Sequence, residues 1–554
     1  MSDVTSPADP VRNDRVFPVL TPPQVARLAA HGRPRHVTAG EILVEPGDPT
    51  RRLFVVKEGQ VDIMSEGRKE RVAACRAGQF TGEASLLAGR PSLVRLRVAE
   101  AGEVIEIDRD QLLALVQTDP ELSEILMRAF ILRRVEIIAQ QVGDVVLVGS
   151  NHSAGTLRIR EFLVRNGHPY SFVDVERDAD VQELLDRFHV SVDDVPIVLC
   201  RGDQVLRNPS NQQVAELLGF NAAIDQSTIR DVVIIGGGPA GLAAAVYGAS
   251  EGLDVLVLET NAPGGQAGSS SRIENYLGFP TGISGQELAA RAYSQAQKFG
   301  AQVVIAKSAT RLVCDRKPYA VEMDAGPSVQ ARAVVIATGA EYRKPALENL
   351  ARFEGTGVYY GATYIESQLC SGEEVVVIGG GNSAGQAAMF LAQTSRRVHM
   401  LIRSGGLADT MSRYLIRRIE ESPAVVLLPH TEVVGLEGGD HLEQVRWRDN
   451  QTGSAETHAI RHVFVMTGAA PNTRWIGGCV ALDEKGFIKT GPDLSPHELA
   501  AARWPLARAP LLLETSLPGV FAVGDVRASN LKRVASAVGE GSTAIAFVHR
   551  VLRE

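Results

Sequence analysis

Two glycine-rich turns carry the chemistry that can be read directly from this sequence. The first lies in "DVVIIGGGPAGLAAAVYGASEGLDVLVLE". An apolar run ends in Gly236-x-Gly238-x-x-Gly241, with Pro239 and Ala240 inside the turn. A helical pattern follows, and a second apolar run ends at Glu259. Gly236 permits a tight turn, and Gly238 lets backbone N–H groups approach a pyrophosphate at a helix N-terminus. Gly241 lets the helix lie close on the strand, and Glu259 can accept both ribose hydroxyls. The second turn, "EVVVIGGGNSAGQAAMFLAQTSRRVHMLIRS", repeats the pattern with Gly379, Gly381, Asn382, Ser383 and Ala384, or Gly385 at the last position. Its second run ends in Arg403 and Ser404 instead of an acid. A guanidinium there suits the 2′-phosphate of NADP, which a carboxylate would repel. The alternative is that Arg403 is only a solvated surface charge.

These turns must be held by a chain of 554 residues, a length that favours three or four domains. The net charge is −8 and there is no basic tract, which argues against a nucleic-acid partner. The apolar runs are too short to cross a bilayer, and "MSDVTSPADPVRND" lacks the apolar core of a secretory signal. The five cysteines, Cys75, Cys200, Cys314, Cys370 and Cys479, are widely spaced and form neither a disulfide framework nor a zinc pattern. A reducing cytoplasm fits that usage.

Along the chain, residues 16 to about 110 alternate in short runs such as "RRLFVVKEG" and "GEVIEIDRD", the pattern of a small antiparallel barrel. Helical periodicity follows and is broken by "TDPE" into two helices. From about 144 to 220 the order is β-α-β-α-β, with "DVQELLDRF" as its second helix, which implies a mixed or parallel sheet. "GFNAAIDQSTI" reads as a linker. The remainder is a long α/β region in which one nucleotide-binding unit occurs twice.

The segment 229–554 resembles the low-molecular-weight thioredoxin reductase family. The resemblance rests on "GGGPAG", "GGQ" followed by "IENYLGFP", "VVIATGA", "GGGNSAG", "VMTGAAPNT" and "LPGVFAVGDVR...KRVASAVGEGS". It implies an FAD protein with an inserted NADPH domain and, by analogy, a homodimer. Glu259 would hold the adenosine ribose, and Gly265, Gln266 and Asn275 would lie near the flavin. Thr338 and Gly339 would close the FAD site. Gly524 and Asp525 would meet the ribityl chain, with Lys532, Arg533, Val534 and Ala535 beside the isoalloxazine ring. Read from its neighbours alone, Asp525 follows "FAVG" and ends a strand facing a ligand, or else caps a helix.

The departure lies just before the second turn. Where disulfide-reducing members carry Cys-x-x-Cys, this chain has Gly361-Ala-Thr-Tyr364. Neither residue can replace an attacking thiolate. Tyr359, Tyr360 and Tyr364 are expected to cover or stack near the flavin instead. Cys370 has no partner in sequence and reads as an ordinary small hydrophobe.

The middle unit resembles the thioredoxin/glutaredoxin fold, with Val195-Pro196 matching its usually cis proline. Ser153-Ala-Gly-Thr156 stands where that family opens a helix with its redox pair, so a helix cap and a docking role are expected. His152 reads as a surface residue and His399 as structural.

Residues 16–138 resemble a cyclic-nucleotide-binding domain through "EPGDPTRRLFVVKEGQVDI" and "FTGEASLLAGRPSLVRLRV". Gly82 and Glu83 match its ribose-binding pair, but the phosphate-pairing arginine falls at Ser92, with Arg90, Arg95 and Arg97 nearby. A cyclic nucleotide or another small ligand is one expectation there, and a degenerate regulatory or interaction barrel is the other.

The expected architecture is multidomain. A barrel with C-terminal helices spans 1–140 and a thioredoxin-like α/β unit spans 141–222. Rossmann-like FAD parts span 223–343 and 469–554, around an NADPH domain at 344–468. The expected activity is NADPH oxidation through FAD, with electrons leaving the flavin directly for a small molecule, oxygen or a redox protein. No catalytic side chain and no metal site is expected. Thioredoxin-disulfide reduction by distant thiols and a flavin-based redox or nucleotide sensor are the alternatives.

Overall fold

A computed structural model describes residues 14–48, 52–65, 70–140, 145–177, 194–201, 204–324 and 326–554. The helix expected over "DVQELLDRF" lies outside these residues.

The N-terminal unit begins with helix α1 (Pro22–Ala29) and a barrel sheet. Its strands are β1 (Arg33–Val37), β2 (Ile42–Val44), β3 (Arg52–Ser65), β4 (Glu70–Arg76) and β5 (Arg95–Asp108), and all its pairings are antiparallel. A single turn of helix, α2 (Ser85–Ala88), sits between β4 and β5. Helices α3 (Arg109–Thr118) and α4 (Pro120–Ala139) follow. The break between them falls at Asp119, whose side chain accepts from Leu122 N at 3.0 Å, while Pro120 opens the second helix.

The middle unit is a mixed four-stranded sheet in the order β7-β6-β8-β9. Its elements are β6 (Val145–Gly149), α5 (Ala154–Arg165), β7 (Ser171–Asp174), β8 (Ile197–Cys200), β9 (Gln204–Arg207) and α6 (Asn211–Leu217). Strand β6 runs parallel to β7 and antiparallel to β8. Ser153 caps α5 by accepting from Thr156 N at 3.4 Å, and the Val195–Pro196 peptide is cis. The stretch read as a linker is instead packed. Phe220 is buried against Phe162, and Asn221 exchanges two hydrogen bonds with the Ile305 backbone at 2.8 and 2.7 Å. Polar composition hid this docking, because the partner strand is more than eighty residues away.

A seven-stranded sheet carries the first glycine turn, in the order β12-β11-β10-β15-β14-β13 with β26 on β15. Strands β10 (Ile229–Ile235), β11 (Val255–Glu259), β12 (Gln302–Ile305), β15 (Val329–Ile336) and β26 (Val520–Ala522) are parallel where they pair, as their continuous apolar character requires. Helices α7 (Pro239–Ser250) and α8 (Gly285–Lys298) lie between its strands, and β13 (Ala309–Val313) and β14 (Tyr319–Met323) form a meander with β15. The two-stranded pair β16 (Ala340–Tyr342) and β25 (Ala469–Pro471) joins this lobe to the inserted one.

The inserted lobe carries β17 (Val358–Tyr359), α9 (Tyr364–Leu369), β18 (Glu374–Ile378), α10 (Asn382–Leu391), β19 (Arg397–Leu401) and α11 (Arg413–Glu421). It continues with β20 (Val425–Leu428), then β21 (Thr431–Gly438), β22 (Leu442–Asp449) and β23 (Ala455–His458) as an antiparallel layer, and β24 (His462–Val465). Its parallel sheet has the order β17-β24-β18-β19-β20. The chain ends with α12 (Val534–Leu552), which packs on α7 so closely that a Cβ on Gly541 would stand 2.1 Å from Ala240 O.

One expectation about the cysteines is corrected. Cys314, after β13, and Cys479 are joined by a disulfide across 165 residues of sequence. Spacing could not reveal it, because the two segments meet only when the meander packs beside the turn at Arg474–Ile476. Cys75, Cys200 and Cys370 are free and buried.

A local strut gives a pH prediction. Lys489 Nζ donates to both Glu498 carboxylate oxygens at 2.7 and 2.9 Å, and this ion pair first of all lowers the Glu498 pKa from 4.5 to about 2. A depressed carboxylate stabilises the fold fully above its unfolded value and loses that contribution as pH falls. Thermal melts of the protein and of Glu498→Gln should therefore differ at neutral pH and converge between about pH 4.5 and 2.

Candidate functional site

One continuous cleft of about 1000 Å³ runs between the two α/β lobes, and both glycine turns open into it. At the first turn Gly236 has φ +103°, in the left-handed region, so the chain can reverse directly after β10. A Cβ on Gly241 would stand 1.9 Å from Gly236 O, so only glycine fits beneath the turn. Gly238, Pro239 and Ala240 present the N-terminus of α7 to the cleft. The Glu259 carboxylate lies across the same turn. It accepts from Gly237 N at 2.6 Å, Asn261 N at 2.9 Å and Ala262 N at 3.2 Å. Thr260 Oγ1 also lies 3.5 Å from Oε1, so Oε1 meets three donors and the capacity left for a ribose is on Oε2, which accepts from Gly237 N.

Gly265 and Gln266 line the cleft beside this turn, where a Cβ on Gly238 would face Gly265 Cα at 3.9 Å. Thr338 and Gly339 close one end through a clasp that sequence reading missed. Thr338 Oγ1 donates to Asn472 O at 2.8 Å, and Asn472 Nδ2 donates to Thr338 O at 3.0 Å. The residues 134 apart in sequence meet here because β16 and β25 pair.

Asp525 stands inside a 3-10 turn, Gly524–Val526, and not at a helix cap. Burial pushes its carboxyl up, and the Lys532 ammonium pulls it partly back. Burial in turn lowers the Lys532 pKa. Lys532 Nζ donates to Asp525 O at 3.1 Å and lies 4.4 Å from the Phe487 ring centroid. The turn is held by Glu540, a second missed residue. It accepts from Gly524 N at 2.7 Å, Arg527 Nε at 3.1 Å and Asn530 Nδ2 at 2.7 Å. Nothing local marks Glu540, because it acts from α12 on a turn sixteen residues earlier.

The second turn reaches the cleft through Asn382 and Ser383. Gly379 has φ +139°, and a Cβ there would stand 2.4 Å from Met466 O; Gly381 and buried Ala384 complete the turn. Asn382 Oδ1 accepts from Ser412 N at 2.8 Å and Ser412 Oγ at 2.7 Å, which ties α10 to α11. Ser383 lies beside the Tyr342 hydroxyl, whose pKa burial raises. Asn275, Arg533, Val534 and Ala535 line a groove of about 520 Å³ between the lobes, opposite Thr410 and Ser412. A salt bridge from Arg418 to Glu274, at 2.7 Å, holds the lobes in this arrangement. Arg403 and Ser404 are exposed beyond β19, outside the cleft lining.

The tyrosines do not all behave as expected. Tyr364 is 72% exposed and does not line the cleft. Tyr359 packs against Phe464, at 5.3 Å between centroids, and His462, and it also lines the cleft. Tyr360 lines the cleft but its hydroxyl donates to Glu354 at 2.6 Å. Strand β17 enters the inserted lobe's own sheet and takes Tyr359 into its core. Cys370 is also in that core, where burial pushes its thiol up. His399 is structural, 3.1 Å from Glu374, and His152 is largely exposed.

The barrel holds a separate cavity of about 110 Å³. That is below the roughly 300–1,000 Å³ usual for small-molecule sites. Ser92 Oγ donates to Val94 O at 2.8 Å, and Glu83 accepts from Ser85 N at 3.0 Å. Arg90 is buried and spans out of the barrel. It donates to Tyr293 Oη on α8 at 3.0 Å and lies 4.5 Å from the Phe220 ring.

The comparisons with known proteins agree with this geometry. The pyridine nucleotide-disulphide oxidoreductase family matches residues 230–541, and the cyclic nucleotide-binding domain matches 34–119. Thioredoxin reductase of Bacillus subtilis is 31% identical over 331 residues, 60% of this chain and 97% of the relative. Thioredoxin reductase of Mycolicibacterium smegmatis is 32% identical over 328 residues, 59% of this chain and 98% of the relative. The crystal structure of Lactococcus lactis thioredoxin reductase in its FR conformation superposes with TM-score 0.52 at 27% identity, covering 59% of this chain and all of that one. The chain belongs to the pyridine nucleotide-disulphide oxidoreductase family. Within that family it is a thioredoxin-reductase-like, FAD-dependent enzyme with NADPH as the second cofactor, joined to a cyclic nucleotide-binding domain. No helix among the described residues is long and apolar enough to cross a membrane.

Proposed function

We propose that the protein oxidises NADPH through FAD and passes the electrons directly from the flavin to an acceptor, without a dithiol. One observation carries this reading: both glycine turns face a single cleft, and no cysteine is among the residues lining it. The first turn fits a dinucleotide, since Gly236 and Gly241 leave room for backbone only and Glu259 faces the ribose position. When bound, FAD supplies the hydride and electron chemistry. The chain's residues bind and orient. Glu259 takes the adenosine ribose, and the α7 N-terminus with Pro239 and Ala240 takes the pyrophosphate. Asp525, positioned by Glu540, takes the ribityl hydroxyls, and Gln266, Asn275 and the Lys532–Ala535 segment surround the ring. Asn382 and Ser383 receive NADPH, and exposed Arg403 and Ser404 meet its 2′-phosphate.

Anaerobic NADPH should bleach the yellow protein much faster than NADH. Arg403→Ala should lower the NADPH preference about ten- to hundredfold, the worth of one charge-assisted hydrogen bond. A preparation that cannot be loaded with FAD, or equal bleaching by both nucleotides, would count against the reading.

The middle unit is read as a thioredoxin-like docking module, supported by its strand order, the cis Val195–Pro196 peptide and Ser153 as a helix cap. The barrel is read as a regulatory or interaction module, because Arg90 is committed to Tyr293 and Phe220 and Ser92 replaces the phosphate partner. A homodimer and a cytoplasmic location complete the reading by analogy.

A further inference from the structure

Helix α5 of the middle unit forms one wall of the flavin cleft. Ala154, Leu157, Arg158 and Arg165 line the same cavity as Gly265 and Asp525. The facing wall is the segment from Val358 to Glu366. This contact is built from both sides. Leu157 belongs to the packed core that holds Ala362, Ile365 and Cys370. A Cβ on Gly355 would stand 2.8 Å from that of Ala154. On the other lobe, Arg165 Nη2 donates to Gly265 O at 2.7 Å, Gln286 Nε2 to Val164 O at 2.7 Å and Asn166 Nδ2 to Asn261 O at 3.2 Å. Helix α5 therefore bridges both lobes and walls the chamber on that side.

The chemistry of the chamber narrows what it can reduce. Cleaving a disulfide needs a thiolate to attack sulfur. The chamber has none, and the nearby Cys370 is fully buried. A conjugated dicarbonyl needs no such nucleophile, because it takes two electrons and two protons directly. Tyr360, Thr363, Arg158 and Glu366 line the space. Thr363 and Glu366 are bonded to each other in the cap of α9, and Arg158 donates to Asn211 Oδ1 and Pro209 O at 2.8 Å, so the Tyr360 ring is the flat surface on which a planar dicarbonyl can lie. Burial pushes the Glu366 carboxyl up, and the hydrogen bonds from Thr363 pull it partly back.

We propose that the chamber between α5 and Val358–Glu366 is the electron-acceptor site, and that it takes a small quinone. The proposal rests on the NADPH–FAD reading above and names its acceptor. The reaction balances: one NADPH, one proton and one quinone give one NADP⁺ and one hydroquinone.

Gly361 offers the test. It lines the chamber, its φ lies outside the left-handed region, and a Cβ there meets nothing within 4 Å. Gly361→Phe therefore places a ring in the chamber without a backbone clash. Bleaching of the holoenzyme by NADPH is read first, and its failure would sink the parent reading alone. The oxidised holoenzyme is then titrated with 1,4-naphthoquinone, without NADPH, and the flavin absorbance followed. Saturable perturbation is expected, at least tenfold weaker in Gly361→Phe. Under turnover, kcat/KM for the quinone should fall at least tenfold in the variant, and oxidised thioredoxin should not be reduced. Unsaturable perturbation in the unaltered protein, undiminished affinity in a folded Gly361→Phe, or thioredoxin turned over faster than the quinone would overturn the proposal.

Discussion

Gly241→Ala should deprive the protein of FAD while leaving most of its secondary structure in place. The added methyl would stand 1.9 Å from Gly236 O and 3.0 Å from Gly236 C, both backbone atoms that cannot rotate away. Either β10 and α7 separate or the turn between them changes path. Packing of α12 on α7 opposes the first, since Gly541 is already pressed against Ala240 O. The turn must then shift, and with it the N–H groups aimed at the pyrophosphate. Overpacking of this kind costs about 1–3 kcal/mol. That corresponds to roughly a five- to 150-fold loss of cofactor affinity. Flavin released after dilution and gel filtration, read by its absorbance, checks the result. Retention of a full complement of FAD at the same affinity would show that the turn does not hold the dinucleotide.

Glu514→Ala should produce the largest loss of stability. This carboxylate is fully buried and satisfies four donors at once. Arg508 Nη1 donates at 2.6 Å and Nη2 at 3.2 Å, while Leu511 N and Gly519 N each donate at 2.9 Å. Arg508 also pairs with Glu554 at the chain end. Removing the carboxylate leaves two backbone donors without acceptors and takes from the mostly buried guanidinium its buried partner, with Glu554 and the Ala509 carbonyl as its remaining acceptors. Breaking a buried pair in this way costs about 3–5 kcal/mol. Strand β26 follows directly and delivers Gly524 and Asp525, so the cleft should loosen as well. Denaturant unfolding followed by flavin fluorescence should show a lower midpoint. Glu514→Gln, which keeps one acceptor oxygen, should recover part of the loss. An unchanged midpoint would mean that the loop at Arg508–Gly519 does not brace the sheet.

Several features were legible from sequence because they are local. A glycine in the left-handed region, a strand ending in an acid and a proline opening α4 each obey short-range sterics. Gly236, Glu259 and Pro120 therefore stand where their neighbours required. The helix break at Asp119 was legible for the same reason. Arg403 follows β19 and is exposed, a position that fits the phosphate reading and the solvated surface charge alike.

What escaped was set by contacts between distant segments. The Cys314–Cys479 disulfide, the Thr338–Asn472 clasp and the Glu540 support each join residues from separate elements. Tyr364 was misjudged because it opens α9 with its side chain exposed, away from the cleft. Arg90 looked like a barrel residue until its partner proved to be Tyr293, 203 positions away. By itself, then, the sequence determined two dinucleotide turns and a chain with no thiols beside them. Only the tertiary structure decided that α5 lines the space where such thiols would work. Backbone turns are specified by their own residues, whereas a chamber exists only once its walls have met.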